Sequence, residues 1–155
     1  MLVVAADHLG VSRMPGYPVW HLLAHGFTHL GDFARYREHP NPAWSVNFMS
    51  AFWGALAAAI LARLIVKIVQ LQDPTRSLLV APAAAFSGSL LFAFSPLFWR
   101  QAVVAETHTL TTCYLLFFCS ALFAAQEKPR TNRDILCAFL AGFGVSVSPM
   151  FLLLI

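Results

Sequence analysis

Charge is what this sequence has least of. Only 11% of its 155 residues are Asp, Glu, Lys or Arg, against roughly 25% in an ordinary soluble domain. A chain this poor in charge cannot cover its own apolar surface with a polar shell, which excludes a water-soluble globular domain. Basic excess is scarce as well. The net charge is +3, and in the first 45 residues Arg13, Arg35 and Arg37 are balanced by Asp7, Asp32 and Glu38. No basic stripe exists for a nucleic acid to follow, so nucleic acid is excluded as a partner. Cysteine is also rare. Cys113, Cys119 and Cys137 all fall inside apolar runs, and a spacing of six puts the first two on different helix faces. They read as small buried hydrophobes and say little about redox compartment. The opening residues lack the basic start of a signal peptide, and Asp7-His8 interrupts their short apolar stretch.

What the chain does have is hydrocarbon. Hydrophobic residues make up 59% of it, with 14 Phe and four Trp, and the mean hydropathy is +0.68. The bilayer is the solvent that suits such a composition, so membrane lipid is its first partner. The pattern predicts an all-α polytopic membrane protein, one domain over residues 1–155, with spans at about 46–62, 78–94, 107–126 and 135–155. The first span should end near Ala62, with Arg63 and Lys67 reaching back to the surface, because a basic residue at the bilayer centre costs roughly 2.5–3.5 kcal/mol. Ser95-Pro96 reads as an N-cap followed by proline at the first helical position. A helix from Pro96 unbroken to Gln126 would be about 45 Å long, against about 30 Å of hydrocarbon. Arg100, Gln101 and Glu106 would then stand at or above the membrane surface. The fourth run stays apolar to Ile155, so the sequence reads as a piece of a longer protein that stops inside a helix.

The loops at 63–76 and 128–133 carry three basic residues each. The positive-inside rule places both in the cytoplasm, and residues 1–45 with 95–108 on the extracytoplasmic face. Within 1–45, Pro15, Gly16 and Pro18 forbid a span. A helix over 18–30 would put Trp20, Leu23, Phe27 and Leu30 on one face and His21, His25 and His29 on the other. Such a helix should lie flat on the membrane with its rings down.

Several residues here carry chemistry. Histidines at 21, 25 and 29 could bind a divalent ion, but over two helical turns three ligands cannot all reach one ion from a straight helix. A solvated polar face that meets phosphates is the simpler reading, with Tyr17, His21 and His25 as candidate substrate contacts. Glu106 is the candidate catalytic residue, because an acid at membrane depth is costly to keep. The plainer alternative is a surface carboxylate paired with Arg100. Arg100 beside Trp99 is either a phosphate ligand or an interfacial anchor, and His108 is a further substrate candidate. Asn47, Ser50 and Gly54 read as helix-packing positions.

Four stretches in order together resemble a known family, one of them Leu22-Leu23 after the turn, which is similar to its amphipathic helix. Leu9-Gly10-Val11 with Pro15-Gly16-Tyr17-Pro18 is similar to the "LGV-x-HPPGYP" of glycosyltransferase family 117, also called domain of unknown function 2723. That family includes animal transmembrane O-mannosyltransferases acting on plexin-type domains. Asn47 to Ala51 with Gly54 to Ala57 resembles its "N-L-L-S-A-x-x-G-A-L-A", and Ser95 to Glu106 resembles its "SPTFW-x-QA-x-x-AE". The resemblance implies a GT-C type fold, here partial, and a lipid-linked sugar donor, a polyprenyl phosphate, used at the extracytoplasmic face. It implies a protein or glycan acceptor, and a bacterial inner membrane or endoplasmic reticulum location. An acid of the first outer loop would act as base or bind a divalent metal, aided by Glu106. The family's "DSGE" motif falls before Leu2, so the resemblance predicts a fragment that is inactive alone. The alternative is a transporter-like or structural multi-pass protein.

Overall fold

The computed structural model describes residues 2–10, 17–30, 35–36, 39–72, 79–127 and 130–153. It is helical apart from a two-residue antiparallel ladder pairing β1 (Arg35–Tyr36) with β2 (His39–Pro40). In chain order the helices are α1 (Leu2–Asp7), α2 (Pro18–Leu30), α3 (Pro42–Gln72), α4 (Val80–Ala93), α5 (Pro96–Ala102), α6 (His108–Glu127) and α7 (Thr131–Val147). A 3-10 segment over Pro149–Leu153 follows.

Two helices, α3 and α6, are long and apolar enough to cross a membrane. A third span results if α4 and α5, bent by 67° at their break, count as one. Their surfaces agree. Leu79, Phe86, Leu91 and Leu97 are all more than two-thirds exposed, an apolar belt that lipid covers and water would not.

Helix α3 runs ten residues past the expected end at Ala62. Arg63 and Lys67 therefore lie on its last turns, and Lys67 Nζ pairs with Glu127 Oε2 at 2.9 Å. At the other end of the same two helices, Ser50 lies against the start of α6. So α3 and α6 run parallel, which requires the intervening α4–α5 segment to return antiparallel. The return packs tightly because the residues are small. Ala57, Ala81 and Ala85 are buried, and a Cβ on Gly88 would come within 2.9 Å of Ile65 Cδ1. Small residues let helix backbones approach where no hydrophobic effect drives them together.

Three expectations are corrected. The third helix is not continuous, because Val103 to Thr107 interrupts it between α5 and α6. Two β-branched residues, Val103 and Val104, weaken helix there, and the backbone finds partners elsewhere. The fourth run does not stay helical, because Pro149 disfavours helix at Ser148. Its 3-10 segment folds Phe151 back so closely that a Cβ on Gly144 would lie 2.5 Å from the ring. Thirdly, the apolar face of α2 lies on protein. Trp20 and Ala24 are fully buried with Ala6, Val46, Met49, Leu110 and Val147 in the main core, and Phe27 lies 6.1 Å from Phe52, ring to ring. The core sits where α1, α2, α3, α6 and α7 meet, at one end of the bundle.

Candidate functional site

The break before α6 is held by its neighbours. In a continuous helix the Glu106 amide would donate to Ala102 and its carbonyl would accept from Leu110. Instead Trp20 Nε1 donates to the Glu106 carbonyl at 3.1 Å, and the Glu106 amide donates to Ser50 Oγ at 3.5 Å. Ser50 Oγ in turn donates to the Val46 carbonyl. The Thr107 carbonyl then accepts from the Thr111 amide and hydroxyl, opening α6. Glycine makes the close approach possible: a Cβ on Gly54 would come within 3.2 Å of Ala102 Cβ and 3.7 Å of Thr109 Cγ2. Glu106 is thus half-buried, with its backbone fixed by α2 and α3.

The other candidates distribute around this point. Tyr17, with φ of 38° before Pro18, packs against the core cluster, as does Ala105. The Tyr17 carbonyl accepts from the His21 amide at 3.1 Å, opening α2. Arg100 and His108 are exposed, on α5 and on the first residue of α6. His21 departs from the expected solvated face. It is buried, with its ring edge-on to Trp20 at 5.2 Å, and loss of solvent pushes its pKa below 6.5. His25 and His29 turn elsewhere, toward α1 and toward each other.

Sequence reasoning missed two residues that fix the site. Trp20 read as a ring for the membrane, although a buried indole N–H asks for an acceptor. Ser50 read as a packing position. An apolar cavity of about 270 Å³ is lined by Val19 and Leu23 of α2, Trp53 of α3, Leu110 and Phe117 of α6, and Phe143 of α7. Among the described residues, buried Trp53 Nε1 and Thr109 Oγ1 have no hydrogen-bond partner. No three His, Cys, Asp or Glu converge among the described residues, so Glu106 does not sit in a ready set of metal ligands.

The fold defines an integral membrane protein in which the backbone of Glu106 is held at one end of the bundle. Residues 2–155 match the family described as the N-terminal domain of protein O-mannosyl-transferase TMEM260, and the chain belongs to that family of membrane glycosyltransferase-like proteins. It is similar to protein O-mannosyl-transferase TMEM260 of Mus musculus, 28% identical over 152 residues, which is 93% of this chain and 19% of that protein. It is also similar to the protein of the same name in Dictyostelium discoideum, 25% identical over 114 residues, 74% of this chain and 12% of that one. The chain therefore spans a fifth or less of the length of these relatives. No solved structure matches it.

Proposed function

We propose that this chain is the N-terminal membrane region of a GT-C type glycosyltransferase that moves mannose from a polyprenyl-phosphate donor to a hydroxyl of a protein acceptor. The observation that carries the reading is the backbone clamp on Glu106 by Trp20 and Ser50. An acidic residue set at a break in an apolar helix, with its backbone fixed by two other helices, is costly to keep at membrane depth unless it is used. The names of the two relatives supply the sugar and the protein acceptor. The basic ends of α3 and α7 support a cytoplasmic placement for that end of the bundle, leaving Glu106, α1 and α2 on the lumenal side. Both relatives come from nucleated cells, which favours the endoplasmic reticulum over a bacterial membrane.

In this arrangement Glu106 assists removal of the acceptor hydroxyl proton as the oxygen attacks the sugar C1 and the phosphate leaves. Arg100 and His108, exposed on either side of the break, meet the phosphate. The apolar cavity between α2, α3, α6 and α7 takes hydrocarbon of the donor. The test is mannosyl transfer by the full-length protein from polyprenyl-phosphate mannose to acceptor protein. Glu106→Gln should lower turnover by at least about ten-fold, within the usual worth of a positioned base, with membrane insertion unchanged. Wild-type turnover in that variant would remove Glu106 from the chemistry.

A further inference from the structure

Helix α2 carries a second arrangement that the transferase reading does not use. His25 Nδ1 lies 3.0 Å from the Ala6 carbonyl, and His25 Nε2 lies 3.1 Å from His29 Nε2. The local reason is the end of α1. Its chain turns through Leu9 at φ of 49°, and the Gly10 amide reaches back 2.8 Å to the Ala5 carbonyl, a left-handed helix stop that leaves late carbonyls to be satisfied. His25 satisfies the one on Ala6. A carbonyl only accepts, so Nδ1 of His25 carries the proton and Nε2 presents its lone pair. Metal-binding imidazoles are oriented in this way, by donating their other N–H to a backbone carbonyl.

We propose that His25 and His29 chelate a divalent first-row transition ion. With metal–nitrogen bonds of about 2.0–2.1 Å, nitrogens 3.1 Å apart subtend about 98° at a common ion. That angle lies between the octahedral and tetrahedral values. In the ion-free state the gap is bridged by the His29 Nε2 proton. On binding, His29 gives up that proton and takes one at Nδ1 through water, so both imidazoles stay neutral and no net proton is released. His29 is exposed and can make the change. His21 takes no part, being buried one turn earlier against Trp20. No third His, Cys, Asp or Glu joins the pair among the described residues. The other coordination positions are therefore open to water or to carboxylate or phosphate oxygens, and Cu²⁺ should bind more tightly than Zn²⁺. Because the ion fixes the ring that holds Ala6, binding also tightens the junction of α1 with α2. The proposal stands on this geometry and is independent of the transferase reading.

The test is titration of the purified chain in lipid nanodiscs with Zn²⁺ and with Cu²⁺, followed by calorimetry and by electron paramagnetic resonance of the copper form. Wild type should show two imidazole nitrogens on copper, and His29→Gln one. His25→Gln and His29→Gln should each weaken binding by at least about ten-fold, the lower end of what even a supporting partner is worth. His39→Gln, on the exposed ladder residue, should not change it. Because His29 is exposed, its variant keeps the fold and the test stays decisive. Equal affinity in wild type and His29→Gln, or a single nitrogen in wild type, overturns the proposal.

Discussion

Trp20→Phe isolates the clamp on Glu106 from the packing around it. Trp20 is fully buried, and its indole N–H crosses 86 positions of sequence to reach the Glu106 carbonyl. Phenylalanine keeps an aromatic ring in the core but has no donor. A part-buried carbonyl left without its partner costs about 1–3 kcal/mol, and the smaller ring adds on the order of 1 kcal/mol for the space it leaves. The sum, roughly 2–4 kcal/mol, falls first on the segment the bond restrains, residues 103–107. Ser50→Ala should cost less. Its contact with the Glu106 amide is long at 3.5 Å, and a hydrogen bond at that limit is worth little. Hydrogen exchange followed by mass spectrometry reads the difference directly. Peptides covering 103–110 should exchange much faster in Trp20→Phe and only slightly faster in Ser50→Ala, with α4 unchanged. Wild-type exchange across 103–107 in Trp20→Phe would show that the break is held by local sequence, and the clamp argument would fall.

Three further outcomes follow from the same geometry. Gly54→Val should lower the thermal midpoint, because even a Cβ meets Ala102 at 3.2 Å and forcing extra methyls into a packed contact costs about 1–3 kcal/mol; a neutral result would mean that α5 does not seat on α3. Single cysteines at Leu9 and Gln101 should label from the side opposite to one at Lys67, since α3 and α6 run parallel between those ends; labelling of all three from one side would refute the arrangement. Stability should depend on pH through His21, whose pKa in the fold lies below the 6.5 of the unfolded chain. The unfolded state then binds the proton first, so stability is complete above about pH 6.5 and declines as pH falls below it. His21→Gln should flatten that acid limb in a denaturation series.

The two long apolar helices, α3 and α6, were legible because they rest on composition, which needs no neighbours. Residues 46–70 hold too little charge to be anything but a membrane helix, and Ser95-Pro96 announced a helix start that the structure places at Pro96. The break before α6 was not legible. Nothing in Val103 to Thr107 is a proline or a glycine, and local propensity alone leaves a continuous helix as the reasonable expectation. What decides it is tertiary: an indole from 86 residues earlier and a hydroxyl from 56 residues earlier compete for the backbone of Glu106. The stop at Ser148-Pro149 was visible in principle, since proline constrains the residue before it, but an apolar run to Ile155 masks it.

The histidine stripe shows why periodicity alone misplaces a site. Spacing by four put His21, His25 and His29 on one face and assigned them one environment. A helix face is a surface only if nothing docks on it, and α2 is touched on two sides. Its Trp20 side closes over α3 and α6, which takes His21 out of water. Its His25 side meets the end of α1, which leaves His29 at the rim. The same amphipathic pattern that would lay a free helix on lipid therefore serves to seat α2 across one end of the bundle. That seating joins residues 86 positions apart into a single polar feature, because buried Trp20 brings its N–H to a backbone carbonyl that the break between α5 and α6 sets free.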